Sequence, residues 1–82
     1  MRIHVVKNSL AANRVALVPV RSYPDSVTRN RARRLVRECW RTGKSRLLPG
    51  HDVAVVLYPG FDNLSERKAQ LERLLRQAGL LT

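Results

Sequence analysis

Ser26–Arg41, SVTRNRARRLVRECWR, carries two patterns that only a helix satisfies together. At about 100° per residue, Thr28, Ala32, Leu35, Val36, Cys39 and Trp40 gather on one side. Asn30, Arg33, Arg34, Arg37 and Arg41 gather on the other, with Arg29 and Arg31 on its flanks. Six arginines fall within thirteen residues, and Glu38 is the only acid among them. Arginines three and four apart repel one another, so this spacing disfavours an isolated helix. The helix therefore needs an apolar body behind it, and dense negative charge in front of it would relieve the repulsion.

The rest of the chain supports that demand. Its net charge is +10 and its pI near 11.5, a balance that attracts polyanions. Nucleic acid comes first and an anionic membrane surface second. Against the membrane stands the narrow arginine face, which has no large apolar side chains beside it to insert into lipid. Thirteen of the sixteen cations are arginine, whose planar fork binds phosphate bidentately and stacks on bases. That chemistry suits folded RNA. At 82 residues the expectation is one RNA-binding domain, 1–82. The lone cysteine, Cys39, excludes an internal disulfide framework and lies on the apolar side of the helix. No apolar run approaches the roughly 20 residues of a membrane span. MRIHVVKNS lacks the architecture of a signal peptide, so a cytoplasmic location is expected.

Arg2–Lys7 and Arg14–Val20 read as strands, and their short Asn8–Asn13 connection predicts an antiparallel hairpin. Pro19 places an edge, or the end of the ladder, in the second strand. Asp25 or Ser26 caps the arginine helix, and Gly43 ends it. Leu47 and Leu48 are expected to pack back under it. Asp52–Tyr58 is a continuous apolar run, which reads as the central strand, buried on both faces. Asn63–Ala78 is a second helix with a possible Asn63–Glu66 capping box. Leu64, Leu71, Leu74, Leu75 and Ala78 form its apolar stripe, while Arg67, Lys68, Arg73 and Arg76 form a solvated face. Gly79 stops it. The predicted fold is an α/β (α+β) sandwich: a three-stranded sheet in the order strand, strand, helix, strand, helix, with a crossover around the basic helix.

No self-sufficient catalytic site is visible. Asp25, Asp62 and Glu66 are explained by helix starts, and Asp52 by a strand start. His4 and His51 stand isolated, and no metal-ligand cluster or phosphate-cradling glycine loop occurs. Such a chain binds, and leaves the chemistry to a partner.

Val27–Trp40, VTRNRARRLVRECW, resembles the signature of the bacterial ribonuclease P protein subunit. Arg29-Asn30-Arg31, then Arg33, Arg34, Leu35, Arg37 and Glu38, follow that family's pattern. Leu48–Val53 and Leu64–Leu75 are similar to its last strand approach and final helix. The resemblance implies a ribonuclease P protein-like sandwich with a left-handed crossover, where the general rule gives the right hand. It implies a subunit that helps a catalytic RNA remove the 5′ leader from precursor tRNA. The RNA would hold Mg2+ and carry the hydrolysis. Arg29, Asn30, Arg31, Arg33, Arg34 and Arg37 would dock on that RNA, with Arg41 and Arg21 extending the surface. No cofactor of the chain itself, no membrane and no protein partner are implied. The family pattern includes an N-terminal helix and a further strand ahead of the segment matching Arg2–Lys7, which this chain is expected to lack. It also includes a Ser-Lys-Lys-like stretch where Arg21-Ser22-Tyr23-Pro24-Asp25 stands. RNA docking is thus expected more strongly than leader recognition. The alternative expectation is a structured-RNA binder or chaperone module without a processing role.

Overall fold

The computed structural model describes residues 1–60 and 63–81. Asp62, read above as a helix-start acid, lies outside the described residues. The elements are β1 (Arg2–Lys7), β2 (Arg14–Pro19), α1 (Ser26–Gly43), a 3-10 turn (Lys44–Arg46), β3 (His51–Leu57) and α2 (Leu64–Gln77). Every expected element is present, with ends shifted by at most two residues.

The pairing departs from the expected hairpin. The sheet order is β1-β3-β2, so β1 and β2 are not neighbours. β3 runs antiparallel to β1, with Val55 opposite Ile3, and parallel to β2, with Val55 opposite Leu17. The most apolar strand takes the centre, where both of its edges are hydrogen-bonded. Asn8–Asn13 has no Asn-Gly or Asp-Gly pair to close a tight turn. It is instead an arch across the two strand spacings of about 10 Å that separate β1 from β2. Asparagines secure both ends of the arch to the start of β3. The Asn8 amide donates to Asp52 Oδ1 at 2.7 Å, and its oxygen accepts from Leu10 N at 2.8 Å. Asn13 accepts from His51 N at 2.8 Å and donates to the Leu48 carbonyl at 3.0 Å. Pro19 is both on an edge strand and the last residue of its ladder.

Both helices cover one face of the sheet. Val53, Val55 and Leu57 of β3 are buried there, flanked by Ile3, Val5, Val15 and Leu17. α1 contributes Ala32, Val36, Cys39 and Trp40, and α2 contributes Leu71 and Leu75. The other face is open, contrary to a strand buried on both sides. His4, Val6, Ala16 and Val18 are exposed on it, Val6 by 65%. Three further expectations are corrected. Leu35 is only half-buried, because Ala32, Val36, Cys39 and Trp40 turn the centre of the apolar stripe away from it. Leu47 is buried but Leu48 is exposed, its N–H donating to the Leu80 carbonyl at 2.8 Å. On α2 the buried line is Arg67, Leu71 and Leu75, while Leu74 is half-buried and Leu64 and Ala78 are exposed.

The helix ends follow their capping chemistry. Asp25, not Ser26, caps α1, accepting from Thr28 N at 2.8 Å. Asn63 caps α2, accepting from Glu66 N at 2.8 Å. Gly79, at φ +76°, closes α2 with its N–H on the Arg76 carbonyl and Leu80 N–H on that of Leu75. Gly43 does not end α1 in this way. Its φ of −106° is right-handed, and the chain winds on into the 3-10 turn.

Candidate nucleic-acid interface

The buried stripe of α1 fixes what its opposite side presents. Asn30, Arg31, Arg34, Arg37 and Arg41 are exposed. Arg29 and Arg33 are half-buried at the margin, closer to the body than their neighbours. From Arg29 to Arg41 the strip is about 18 Å long at 1.5 Å per residue. Arg21, in the segment leading to the helix, is exposed as well. α1 thus holds most of the residues read from the sequence on one continuous basic surface, with Arg29 at its edge and Arg21 outside the helix.

That surface is poorly neutralised. Glu38 is committed to Arg41, whose guanidinium donates through both Nε and Nη2. The Arg41 hydrogen bonds hold the Glu38 carboxyl below its ordinary range. Asp25 is held low by the Thr28 N–H and hydroxyl that it caps, with Arg29 adding a smaller pull. Among the described residues Arg29, Arg31, Arg33, Arg34 and Arg37 form no ion pair. Arg33 reaches only the neutral Asn30 oxygen, at 3.3 Å. Guanidiniums without acids, fixed on a helix backed by the core, suit phosphates arriving from several directions.

The open sheet face is chemically different. Its central row is His4, Ala54 and Ala16, and the next row is Val6, Asp52 and Arg14. Arg14 lies over Asp52, with Nε at 2.8 Å and Nη2 at 2.6 Å. Hydrogen bonds from Arg14, and then from Asn8, bring the Asp52 carboxyl down to about 2. The charge of Arg14 is therefore already matched, and the face is shallow and largely apolar. His51 Nδ1 lies 3.3 Å from the Leu48 carbonyl, away from His4 on the face. Among the described residues no group of three His, Cys, Asp or Glu could hold a metal ion. Cys39 is buried, its thiol 3.8 Å from the Leu64 carbonyl, and burial pushes its pKa up.

One polar core residue was misread from sequence. Arg67, placed above on a solvated face, is only 2% exposed. Its Nη2 donates to the Tyr58 carbonyl at 2.9 Å and to the Tyr23 hydroxyl at 3.4 Å, and Nη1 reaches Gln70 Oε1 at 3.3 Å. Its spacing of four and eight residues from Leu71 and Leu75 was the available signal.

Comparison with known proteins bears on this arrangement. A family model described as Ribonuclease P matches residues 1–79. The ribonuclease P protein component of Natranaerobius thermophilus is 36% identical over 81 residues, covering 96% of this chain and 70% of the relative. That of Syntrophobacter fumaroxidans is 36% identical over 73 residues, covering 88% of this chain and 61% of the relative. Among solved structures, the RNase P protein of Staphylococcus aureus superposes with a TM-score of 0.80 at 20% identity, covering 98% of this chain and 75% of that one. The RNase P protein of Thermotoga maritima superposes with a TM-score of 0.75 at 26% identity, covering 90% and 74%. The comparisons do not support the alternative of a binder without a processing role. No helix among the described residues is long and apolar enough to cross a membrane.

Proposed function

Because the chain belongs to the ribonuclease P protein family, the protein component of the ribonucleoprotein endoribonuclease that processes tRNA, we propose that α1 is its docking surface for the catalytic RNA. Arg29, Asn30, Arg31, Arg33, Arg34 and Arg37 make the central contacts, with Arg41 and Arg21 at the ends. The observation that carries this is the run of five arginines along α1, Arg31, Arg34 and Arg37 exposed and Arg29 and Arg33 at the margin, that form no ion pair among the described residues. Precursor tRNA is the substrate, its 5′ leader is the segment removed, and the cytoplasm is the setting. The RNA supplies the hydrolytic chemistry with its own Mg2+. The chain's part is to neutralise crowded phosphates, which lowers the magnesium concentration at which that RNA is active. A leader laid along the open sheet face would meet little free charge, because Arg14 is occupied by Asp52 and the central row is His4, Ala54 and Ala16.

The test is single-turnover cleavage by the cognate catalytic RNA at low magnesium, with and without the protein. Precursors carry either a long or a one-nucleotide leader. Stimulation of both to a similar degree is expected. Absence of stimulation for either would overturn the processing role, and strong preference for the long leader would overturn the weak sheet face.

A further inference from the structure

Resting on the reading of α1 as the RNA-docking helix, we propose that Tyr23 and Arg67 are positioning residues for its first turns. They set where Arg29, Asn30 and Arg31 stand without reaching the RNA themselves. Three features of the fold converge on this assignment.

The first is where α1 is fastened. Its buried side chains are Ala32, Val36, Cys39 and Trp40. Within α1 nothing before Ala32 is buried: Val27 is 72% exposed, and Thr28 and Arg29 are half-buried. The segment bearing Arg29-Asn30-Arg31 therefore lies at the less packed end of the helix. Its placement depends on the chain that enters it.

The second is how that entering chain is held. Val20 N–H donates to the Leu57 carbonyl at 3.0 Å, and Tyr23 N–H to the Val20 carbonyl at 3.4 Å. Tyr23 is 4% exposed, and its hydroxyl donates to the Tyr58 carbonyl at 2.9 Å. Arg67 Nη2 donates to the same carbonyl at 2.9 Å and to the Tyr23 oxygen at 3.4 Å. Pro24, with its fixed φ, follows Tyr23, and Asp25 then caps the helix. One residue, Pro24, thus separates Tyr23, held by the Tyr58 carbonyl just past β3 and by Arg67 of α2, from the N-cap of α1.

The third is the kind of residue used. A buried guanidinium is costly to desolvate, and an apolar side chain of similar volume often serves stability as well or better. Arg67 sits in line with Leu71 and Leu75, where leucine would satisfy the helix pattern. What leucine would lack is donors for the Tyr58 carbonyl and the Tyr23 oxygen. The directional bonds specify one location for the loop, where apolar packing would tolerate several.

The test is a double-mutant cycle on binding to the cognate catalytic RNA, well below the melting temperature. Tyr23→Phe keeps the ring and removes the hydroxyl. It should weaken binding by about threefold to tenfold, the range of one net hydrogen bond. Combined with Arg29→Ala/Asn30→Ala, at the less packed end, its effect should largely vanish. Combined with Arg41→Ala, at the packed end, it should persist in full. A purely structural loss would add equally to both, and equal addition overturns the proposal. Arg67→Met gives an independent arm: the same pattern is expected, read on the folded fraction if the variant melts early. If Arg29→Ala/Asn30→Ala itself binds like the parent, the docking reading falls and the proposal with it. If that variant is weak but uncoupled to Tyr23, only the positioning role falls.

Discussion

Salt dependence is the most direct probe of the arginine surface. Arg31, Arg34 and Arg37 are exposed, Arg29 and Arg33 are half-buried, and none of the five has an acid partner among the described residues. Each arginine that takes a phosphate releases counterions, adding about 0.7 to 0.9 to the slope of log affinity against log salt. If only the three exposed ones engage, the slope is about 2; if all five do, it is about 4.5. Raising salt from about 50 to 200 mM should then weaken binding about 20- to 500-fold. Arg37→Ala should reduce the slope by about 0.7 to 0.9, while changing stability by less than about 0.5 kcal/mol. Fluorescence anisotropy on the cognate catalytic RNA at four salt concentrations, with thermal melts alongside, measures both quantities. Arg73→Ala, at an exposed position of α2, is the control. A slope below about 1 would refute the phosphate-dominated interface. So would a loss from Arg73→Ala equal to that from Arg37→Ala.

Glu38→Gln should strengthen RNA binding and steepen the slope, because it releases the Arg41 guanidinium from its ion pair; unchanged binding would show that Arg41 lies beyond the RNA footprint. Val36→Ala should cost about 2 kcal/mol by denaturant titration, since it removes two buried methyl groups and leaves a cavity. Leu35→Ala should cost less, and the reverse order would mean that α1 is rotated from the orientation described. Asp52 has a pKa below its unfolded value, so its contribution is present above about pH 4 and is lost as pH falls toward about 2. Melting midpoints between about pH 2 and 5 should therefore fall less in Asp52→Asn than in the parent; parallel curves would argue that Arg14 and Asn8 do not stabilise the carboxylate.

The elements were legible in sequence because each carried its own periodicity and punctuation. Asp25 and Asn63 sit where helices must be capped, and Gly79 where one must stop. Strand order was not legible. It turns on which strand gains most by being central, and the Asn8–Asn13 arch looks locally like a hairpin loop until Asn8 and Asn13 are seen reaching β3. The open face of β3 was hidden for a related reason. DVAVVLY is apolar at both parities, and only the tertiary arrangement shows that both helices choose Val53, Val55 and Leu57. The arginine surface was the easiest feature to read, since charge on a helix is visible in the spacing alone. Arg67 was the hardest. A charged residue on a buried stripe is assigned outward by default, and the groups that make its burial tolerable come from Tyr23 and Tyr58, far off in sequence or on another element.

The sheet order also sets a timetable for synthesis. β1 and β2 leave the ribosome ahead of β3, yet neither pairs with the other; both wait for it. All of α1 is translated in that interval, with its apolar side facing no completed surface. Pairings this distant along the chain close late, after the entropy of bringing them together has been met. The sheet closes only once Leu57 has been made, and the packing of α1 waits further for Leu71 and Leu75 of α2. Until then the arginines of α1 have no scaffold that holds them on one surface.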